Sequence, residues 1–275
     1  MIPKASGWQL FVKAVIARAY PRMAGVLREK SWTFFDIFLP FLGTMAYVFV
    51  YRAIGAPEDF IGFVIMGGAM TAFWLNVLWG MGSQLYWEKE SGNLALYIIA
   101  PNSLMAVLLG MALGGMLSTC LRALVILGLG SLLFQIQFTV QNFAALFGVF
   151  VLTMTALYGL GMLCSSVFLL WGREAWHLAN LFQEPVYLVS GFFFPVKALP
   201  HWIALGASIL PITLGLDAMR QLVFSHGARL GFLSVPLELT LLAVLSVVFI
   251  ATARYALAYI ERIAIQEGRL VEMRK

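Results

Sequence analysis

Charge is what this chain has least of. Of its 275 residues 11% are Asp, Glu, Lys or Arg and 61% are hydrophobic, whereas a soluble domain carries roughly 25% charged residues. Too few polar side chains remain to cover a water-facing surface, so a soluble enzyme or binding module is excluded. Cysteine is equally scarce: Cys120 and Cys164 have no CxxC spacing, which leaves no disulfide framework and no thiolate metal site. The three histidines, His177, His201 and His226, stand apart without HExxH spacing. No GxxxxGK[ST] loop is present, so the chain cannot by itself cradle ATP phosphates in the P-loop manner. No Ser/His/Asp set suggests itself. The sequence therefore carries no expected catalytic residue, metal or cofactor, and nucleic acid is not an expected partner.

What is present is a succession of apolar runs of about 20 residues, each able to cross a hydrocarbon core of roughly 30 Å as a helix. The reading is an all-α polytopic membrane protein with six spans near 32–53, 61–85, 104–134, 142–171, 178–194 and 232–256. Three regions follow: an amphipathic interfacial helix in 1–31, the six-helix domain in 32–257 and a polar tail in 258–275. Lys13, Arg18 and Arg22 interrupt what a cleavable signal would need as a continuous apolar stretch, so this segment is expected to stay on the protein. Trp8, Val12, Val15, Ala19, Met23 and Val26 lie on one helical stripe, with Lys13, Arg18, Arg22 and Arg28 off it. Two readings stay open: a helix lying in the membrane surface, or one packed against the rest of the protein. Pro21 is expected to kink it.

Lysine and arginine orient the spans. Lys4, Lys13, Arg18, Arg22, Arg28 and Lys30 precede span 1, Lys89 and Arg173 fall in loops of the same face, and Arg254, Arg262, Arg269, Arg274 and Lys275 follow span 6. The other face has Arg52, Lys197, Arg220 and Arg229. Positive residues concentrate on the cytoplasmic side, so both termini are expected there. Between Pro195 and Arg229, Pro195, Pro200 and Pro211 break an otherwise apolar stretch. A re-entrant pair of short helices on the outer side preserves the topology, because broken backbone at membrane depth must be buried in protein or line a cavity.

Ionisable residues inside spans need a partner or a cavity. Asp36 reads as interfacial and Glu184 as deeper. Arg173 and Glu174 read as a solvated pair. Gly110, Gly114, Ser118 and Arg122, spaced by four, put small residues along one face of span 3, where another helix can approach closely. Counting from the inner end of that span places Arg122 towards the outer leaflet, level with Glu238. A structural Arg122–Glu238 ion pair is one expectation, and an Arg122 reaching the outer interface alone is the other. Phe73, Trp74, Asn76, Trp79 and Gln84 in span 2 offer indole and amide surface suited to a passage for amphipathic molecules, or to helix packing and an interfacial belt.

Two stretches carry a family resemblance. EKESGNLALYIIAPNS, residues 88–103, breaks off span 2 with charges, turns at Gly92, and sets Leu94, Leu96, Tyr97 and Ile98 in a short apolar helix before Pro101 and Asn102. SGFFFPVKALPHWIALGASILPITLGLDAMR, residues 190–220, spaces Phe194-Pro195, Leu199-Pro200, Leu210-Pro211 and Asp217 to Arg220. Together with six spans, these resemble the membrane subunit of ABC-2-type exporters, the class of the daunorubicin-resistance and nodulation-oligosaccharide permeases. The resemblance implies a bacterial inner-membrane half-transporter. Its partners would be a second copy or paralogue in the bilayer and two copies of a separate ATPase holding ATP and Mg. It further implies that Trp87, Glu88, Lys89, Glu90, Gly92, Asn93, Leu94 and Tyr97 form the cytoplasmic contact with that ATPase, and that the N-terminal helix is a second contact. The passage would run between subunits past Trp74, Asn76, Trp79, Phe182, Tyr187 and Phe192. Segment 195–220 would cap the exit.

The function this implies is ATP-driven export of a hydrophobic or amphipathic compound such as a drug, antibiotic or lipid-linked molecule. Export of a polysaccharide or lipo-oligosaccharide is the nearest alternative. An ion-coupled secondary transporter would have to use Asp36 or Glu184, and a non-transporting assembly subunit is a third class.

Overall fold

The computed structural model describes residues 7–100, 103–171, 173–225 and 227–267. The expected Arg173–Glu174 pair, the Pro101–Asn102 helix stop and the distal tail lie outside the described side chains. Twelve α-helices are described: α1 (Gly7–Arg28), α2 (Lys30–Ala53), α3 (Glu58–Leu75), α4 (Gln84–Glu90), α5 (Leu94–Ile99), α6 (Leu104–Phe134), α7 (Phe143–Trp171), α8 (Arg173–Val189), α9 (His201–Ala207), α10 (Pro211–Val223), α11 (Gly227–Leu230) and α12 (Val235–Glu267). A π-helical segment, Asn76–Gly82, joins α3 to α4 in one long rod.

Five helices are long and apolar enough to cross a membrane: Thr33–Ala53, Glu58–Glu90, Leu104–Phe134, Phe143–Leu169 and Val235–Ile263. Helices α9 and α10, bent by 107° at their break, form the re-entrant or broken span expected between 195 and 220. The fifth predicted span, 178–194, is instead α8, of the same 17 residues in length but set five residues earlier; it ends at Val189 and gives way to a turn at Gly191 (φ +70°). Every residue of α3 from Ile61 to Trp74 is buried, so α3 is the central helix; α2 packs on it and α12 packs on α7, each with exposed Phe, Leu or Val.

Side-chain contacts fix the depth of the helices relative to one another. At the face where α2 and α6 end and α3 begins, Phe49 and Phe134 meet at 6.0 Å and Tyr51 and Phe60 at 5.8 Å between ring centroids. Deeper, Asn76 abuts Gly115, Val77 abuts Gly161 and Ile250 abuts Gly159. Counting about 20 residues at 1.5 Å each from Ala53, Glu58, Phe134, Phe143 and Val235 spans about 30 Å. The count ends at Thr33, Leu78, Gly114, Leu163 and Tyr255. These residues fall in the same layer as the contacts just named, so one hydrocarbon slab fits all five helices. Beyond it α4, the start of α6, the end of α7 and the end of α12 project about 12–18 Å further, on the face where α1 and the end of α12 both lie.

This register corrects the depth of Arg122. The apolar start of α6 is buried by protein rather than by lipid, so counting from Leu104 overshoots. Arg122 lies 12 residues, about 18 Å, from the C-terminal end of α6, whereas Glu238 lies three residues, about 4.5 Å, from the N-terminal end of α12 at the same face. The expected Arg122–Glu238 pair is not formed. Arg122 instead pairs with Asp36, near the start of α2, at 2.5 Å. Glu238 is wholly buried and accepts from Gln221 Nε2 at 3.2 Å.

The small-residue face of α6 has a partner, and it is α1. A Cβ on Gly110 would lie 2.5 Å from the Val15 carbonyl oxygen, and one on Gly114 2.8 Å from that of Ala19. The two backbones are in direct contact, the close approach that glycine at this spacing permits. Of the two readings of the N-terminal helix, packing wins: Val15 is buried on α6, while Trp8, Val12, Ile16, Tyr20 and Met23 form a separate exposed apolar face. The helix runs unbroken through Pro21.

Candidate functional site

The projecting end of the bundle carries an elbow built from α4 and α5. Its tight turn depends on Gly92, whose φ of +77° a side chain rarely adopts. The turn is closed by Ser91 N–H donating to the Trp87 carbonyl at 2.9 Å and Gly92 N–H to that of Lys89 at 3.0 Å. Two side chains lock the elbow to the bundle: Leu85 and Leu94 are almost completely buried.

Glu88 faces inward. Only 6% of the residue is exposed; it accepts from Gln84 Nε2 and Asn93 Nδ2, each at 3.1 Å, and pairs with Arg18 of α1. The Arg18 guanidinium also lies 5.4 Å from the Tyr97 ring centroid on α5. One ion pair and one cation–π contact therefore join α1, α4 and α5. Burial pushes the Tyr97 phenol above its ordinary pKa, with the Arg18 charge opposing. At the base of the elbow the backbone N–H of Leu104, the first residue of α6, donates to Glu261 of α12, an anion at a helix N-terminus.

The outward side is apolar. Trp87 is 48% exposed, Leu96 66% and Ile99 81%, rimmed by exposed Glu90, Ser91, Gly92 and Asn93. The eight residues singled out in the sequence thus divide: Glu88 and Leu94 hold the elbow from inside, Tyr97 and Lys89 are half-buried, and Trp87, Glu90, Gly92 and Asn93 face outward. Sequence reasoning missed Ile99 and Arg18. The first was visible as the apolar residue three positions after Leu96; the second had no local signal, because its partner is 70 residues away.

The six residues expected along a passage do not share one environment. Trp74 and Phe192 are buried in helix packing, and the Tyr187 ring meets that of Phe192 at 5.4 Å, tilted by 58°. Asn76 accepts from the Tyr158 hydroxyl at 3.2 Å, and the Trp79 indole donates to Gln183 at 2.6 Å. Phe182 is exposed on α8. Asn76 and Trp79 belong to the π-helical segment, where Gly80 leaves room for the Arg22 guanidinium of α1. An apolar cavity of about 520 Å³ lies elsewhere, between α3, α6, α7 and α10, with Met66, Met70, Phe73, Leu124, Phe147 and Met219 in its walls.

At the other face, the Asp217 to Arg220 spacing proves to be a clamp. Arg220 has no exposed surface and donates to the carbonyls of Gly191 (2.6 Å), Phe192 (2.7 Å) and Phe194 (3.3 Å) in the turn after α8, and of Phe63 (2.7 Å) in α3. Asp217 accepts from the Phe232 N–H at 2.8 Å and from Gln221 at 3.1 Å. A Cβ on Gly67 would fall 1.5 Å from the Phe192 carbonyl oxygen, so only glycine lets the turn seat against α3.

Comparison with known proteins agrees with this architecture. The chain is 27% identical over 135 residues to the probable multidrug ABC transporter permease YbhR of Escherichia coli strain K12, and equally to that of Escherichia coli O157:H7. The match covers 49% of this chain and 36% of each relative, so the chain spans about a third of the length of these relatives. Residues 12–224 match the ABC-2 type transporter family, from within α1 to the end of the re-entrant pair. On a match over more than three-quarters of its length, this multi-pass membrane protein belongs to the ABC-2 type transporter family.

Proposed function

We propose that the chain is the membrane subunit of an ATP-driven exporter for a hydrophobic or amphipathic compound, and that the ATPase docks on the elbow. The observation that carries this reading is the exposed Trp87, Leu96 and Ile99 surface on a rigid projection. In water, outside the hydrocarbon slab, such a surface calls for a protein partner. The inward lock of Arg18, Glu88 and Tyr97 then passes a push on the elbow to α1 and, through Gly110 and Gly114, to α6. ATPase closure would thus rock packed helices rather than bend a loop.

In this reading both termini and the elbow are cytoplasmic, in keeping with the basic residues on that face. The membrane is the bacterial inner membrane, a second copy or paralogue completes the pair, and ATP and Mg sit on two ATPase subunits. The exposed aromatic faces of α2 and α8, including Phe182, would form the passage between the two membrane subunits. The relatives' printed description as multidrug permeases supports a drug-like cargo. An ion-coupled carrier is the poorer reading, because Asp36 is engaged by Arg122 and Glu184 takes a hydrogen bond from Gln183 at 3.3 Å.

The test is co-purification of a soluble ATPase with the wild-type chain and with Leu96→Glu/Ile99→Glu. Loss of the ATPase from a variant that inserts and elutes as the wild type does is expected. Undiminished association would refute the elbow as the docking surface.

A further inference from the structure

A groove of about 640 Å³ runs between α7 and α12, on a side of the molecule that neither the elbow nor the re-entrant pair uses. Its upper walls are apolar, with Val247, Ile250 and Ala251 from α12. Its mouth is formed by Arg254 and Tyr255, and Thr155 of α7 lies opposite. The Thr155 hydroxyl donates to the Val151 carbonyl at 2.7 Å, and that of Ser246 to the Leu242 carbonyl at 2.7 Å. These protons are spent on main-chain carbonyls, the Ser246 hydroxyl also facing that of Leu152 on α7 at 3.2 Å, which leaves the Arg254 guanidinium and the Tyr255 phenol as the donors.

Arg254 is exposed. Among the described residues the ion pairs are Arg18–Glu88 and Arg122–Asp36, so no described carboxylate neutralises it. Its depth follows from the slab: 19 residues below Val235, about 28 Å, is the boundary of the hydrocarbon on the elbow side. A second observation agrees. Tyr255 and Tyr259 are strongly exposed at this level, as interfacial aromatic residues are, while Val244, Val247 and Val248 above them are exposed and apolar. The groove therefore offers a cation and a hydroxyl at head-group depth, and a hydrocarbon channel directly above.

We propose that this groove is a binding site for one anionic phospholipid of the elbow-side leaflet. The phosphate sits against Arg254 and Tyr255, and an acyl chain lies along Val247, Ile250 and Ala251. A zwitterionic lipid fits the channel equally well but brings a quaternary ammonium near the guanidinium. A free phosphate has the right charge and nothing for the apolar walls. The lipid would brace α12 two turns above Glu261, the carboxylate that caps α6 at the base of the elbow.

The full chain is placed in nanodiscs of phosphatidylcholine containing phosphatidylglycerol, released into mild detergent, and its retained lipids are counted by native mass spectrometry. Wild type is expected to retain phosphatidylglycerol over phosphatidylcholine by about fivefold, the weight of one basic residue at a membrane surface. Arg254→Gln is expected to erase the preference. Ala251→Phe, which fills the channel and leaves the charge, is expected to lose the retained lipid altogether. No preference in wild type, or an unchanged preference in Arg254→Gln, would overturn the site. Preference lost in Arg254→Gln but intact in Ala251→Phe would also overturn it, since that pattern describes surface charge attraction without a seated chain.

Discussion

Breaking the Arg18–Glu88 pair tests whether the elbow and α1 move as one piece. The Glu88 side chain is 7% exposed and that of Arg18 28%. Removing one partner of a fully buried pair costs about 3–5 kcal/mol. Here water reaches the Arg18 side, and the Gln84 and Asn93 amides each keep a hydrogen bond to the carboxylate, worth roughly 1.5–3 kcal/mol apiece. Arg18→Ala is therefore expected to destabilise by about 2 kcal/mol, below the fully buried range. Glu88→Gln keeps the shape and leaves Arg18 to water and the Tyr97 ring, at about 1 kcal/mol. Once Arg18 is gone the Glu88 charge has no partner to lose, so the double variant should cost no more than Arg18→Ala alone, a coupling of about 1 kcal/mol. Unfolding in detergent, followed by tryptophan fluorescence, gives the four stabilities. The transport-to-hydrolysis ratio with the ATPase bound gives the functional readout, which should fall in both single variants while hydrolysis persists. Stabilities additive to within about 0.5 kcal/mol would refute the pairing, and an unchanged ratio would refute the transmission argument built on it.

Other expectations follow from the same geometry. Gly92→Val forces a β-branched residue into φ +77°, costs roughly 1–2 kcal/mol, and should lower ATPase association without affecting insertion, read by co-purification. Gly114→Leu pushes the Ala19 backbone away and should raise proteolytic release of α1 while α3 and α6 stay paired; an unchanged digestion pattern would refute the α1–α6 contact. Arg220→Met leaves four carbonyl acceptors without their donor at about 1–3 kcal/mol per group lost, so folded yield should collapse, with Arg220→Lys recovering part of it. A double-mutant cycle of Asp36→Asn with Arg122→Gln should show coupling, and one of Glu238→Gln with Arg122→Gln none; the reverse result would restore the pairing expected from sequence.

Much of the fold is legible in the sequence because the bilayer imposes a simple rule: an apolar run of 20 residues becomes a crossing helix. The proline spacing in 195–220 marks the re-entrant pair for a similarly local reason. Depth is not legible. Leu104 to Leu113 reads as the first half of a span, yet α1 covers that stretch beyond the hydrocarbon, and protein burial and lipid burial select the same side chains. That ambiguity displaced Arg122 and paired it with Glu238. The elbow itself shows as charges, Gly92 and an apolar turn. Which of its residues look inward depends on Arg18, for which the local sequence carries no cue because its partner is 70 residues away. The aromatic residues of spans 2 and 5 announce surface area and leave open what they touch.

The Arg220 clamp also bears on how this protein could be redesigned. Its four acceptors are main-chain oxygens, at Phe63, Gly191, Phe192 and Phe194, so the grip takes no account of which side chains those residues carry, provided Gly191 keeps its turn and Gly67 its clearance. This end of the bundle is thus held by the shape of the backbone and can be rewritten in its chemistry. Phe193 and Phe194 could be exchanged for polar or smaller residues while the lock that sets the turn in place remains untouched.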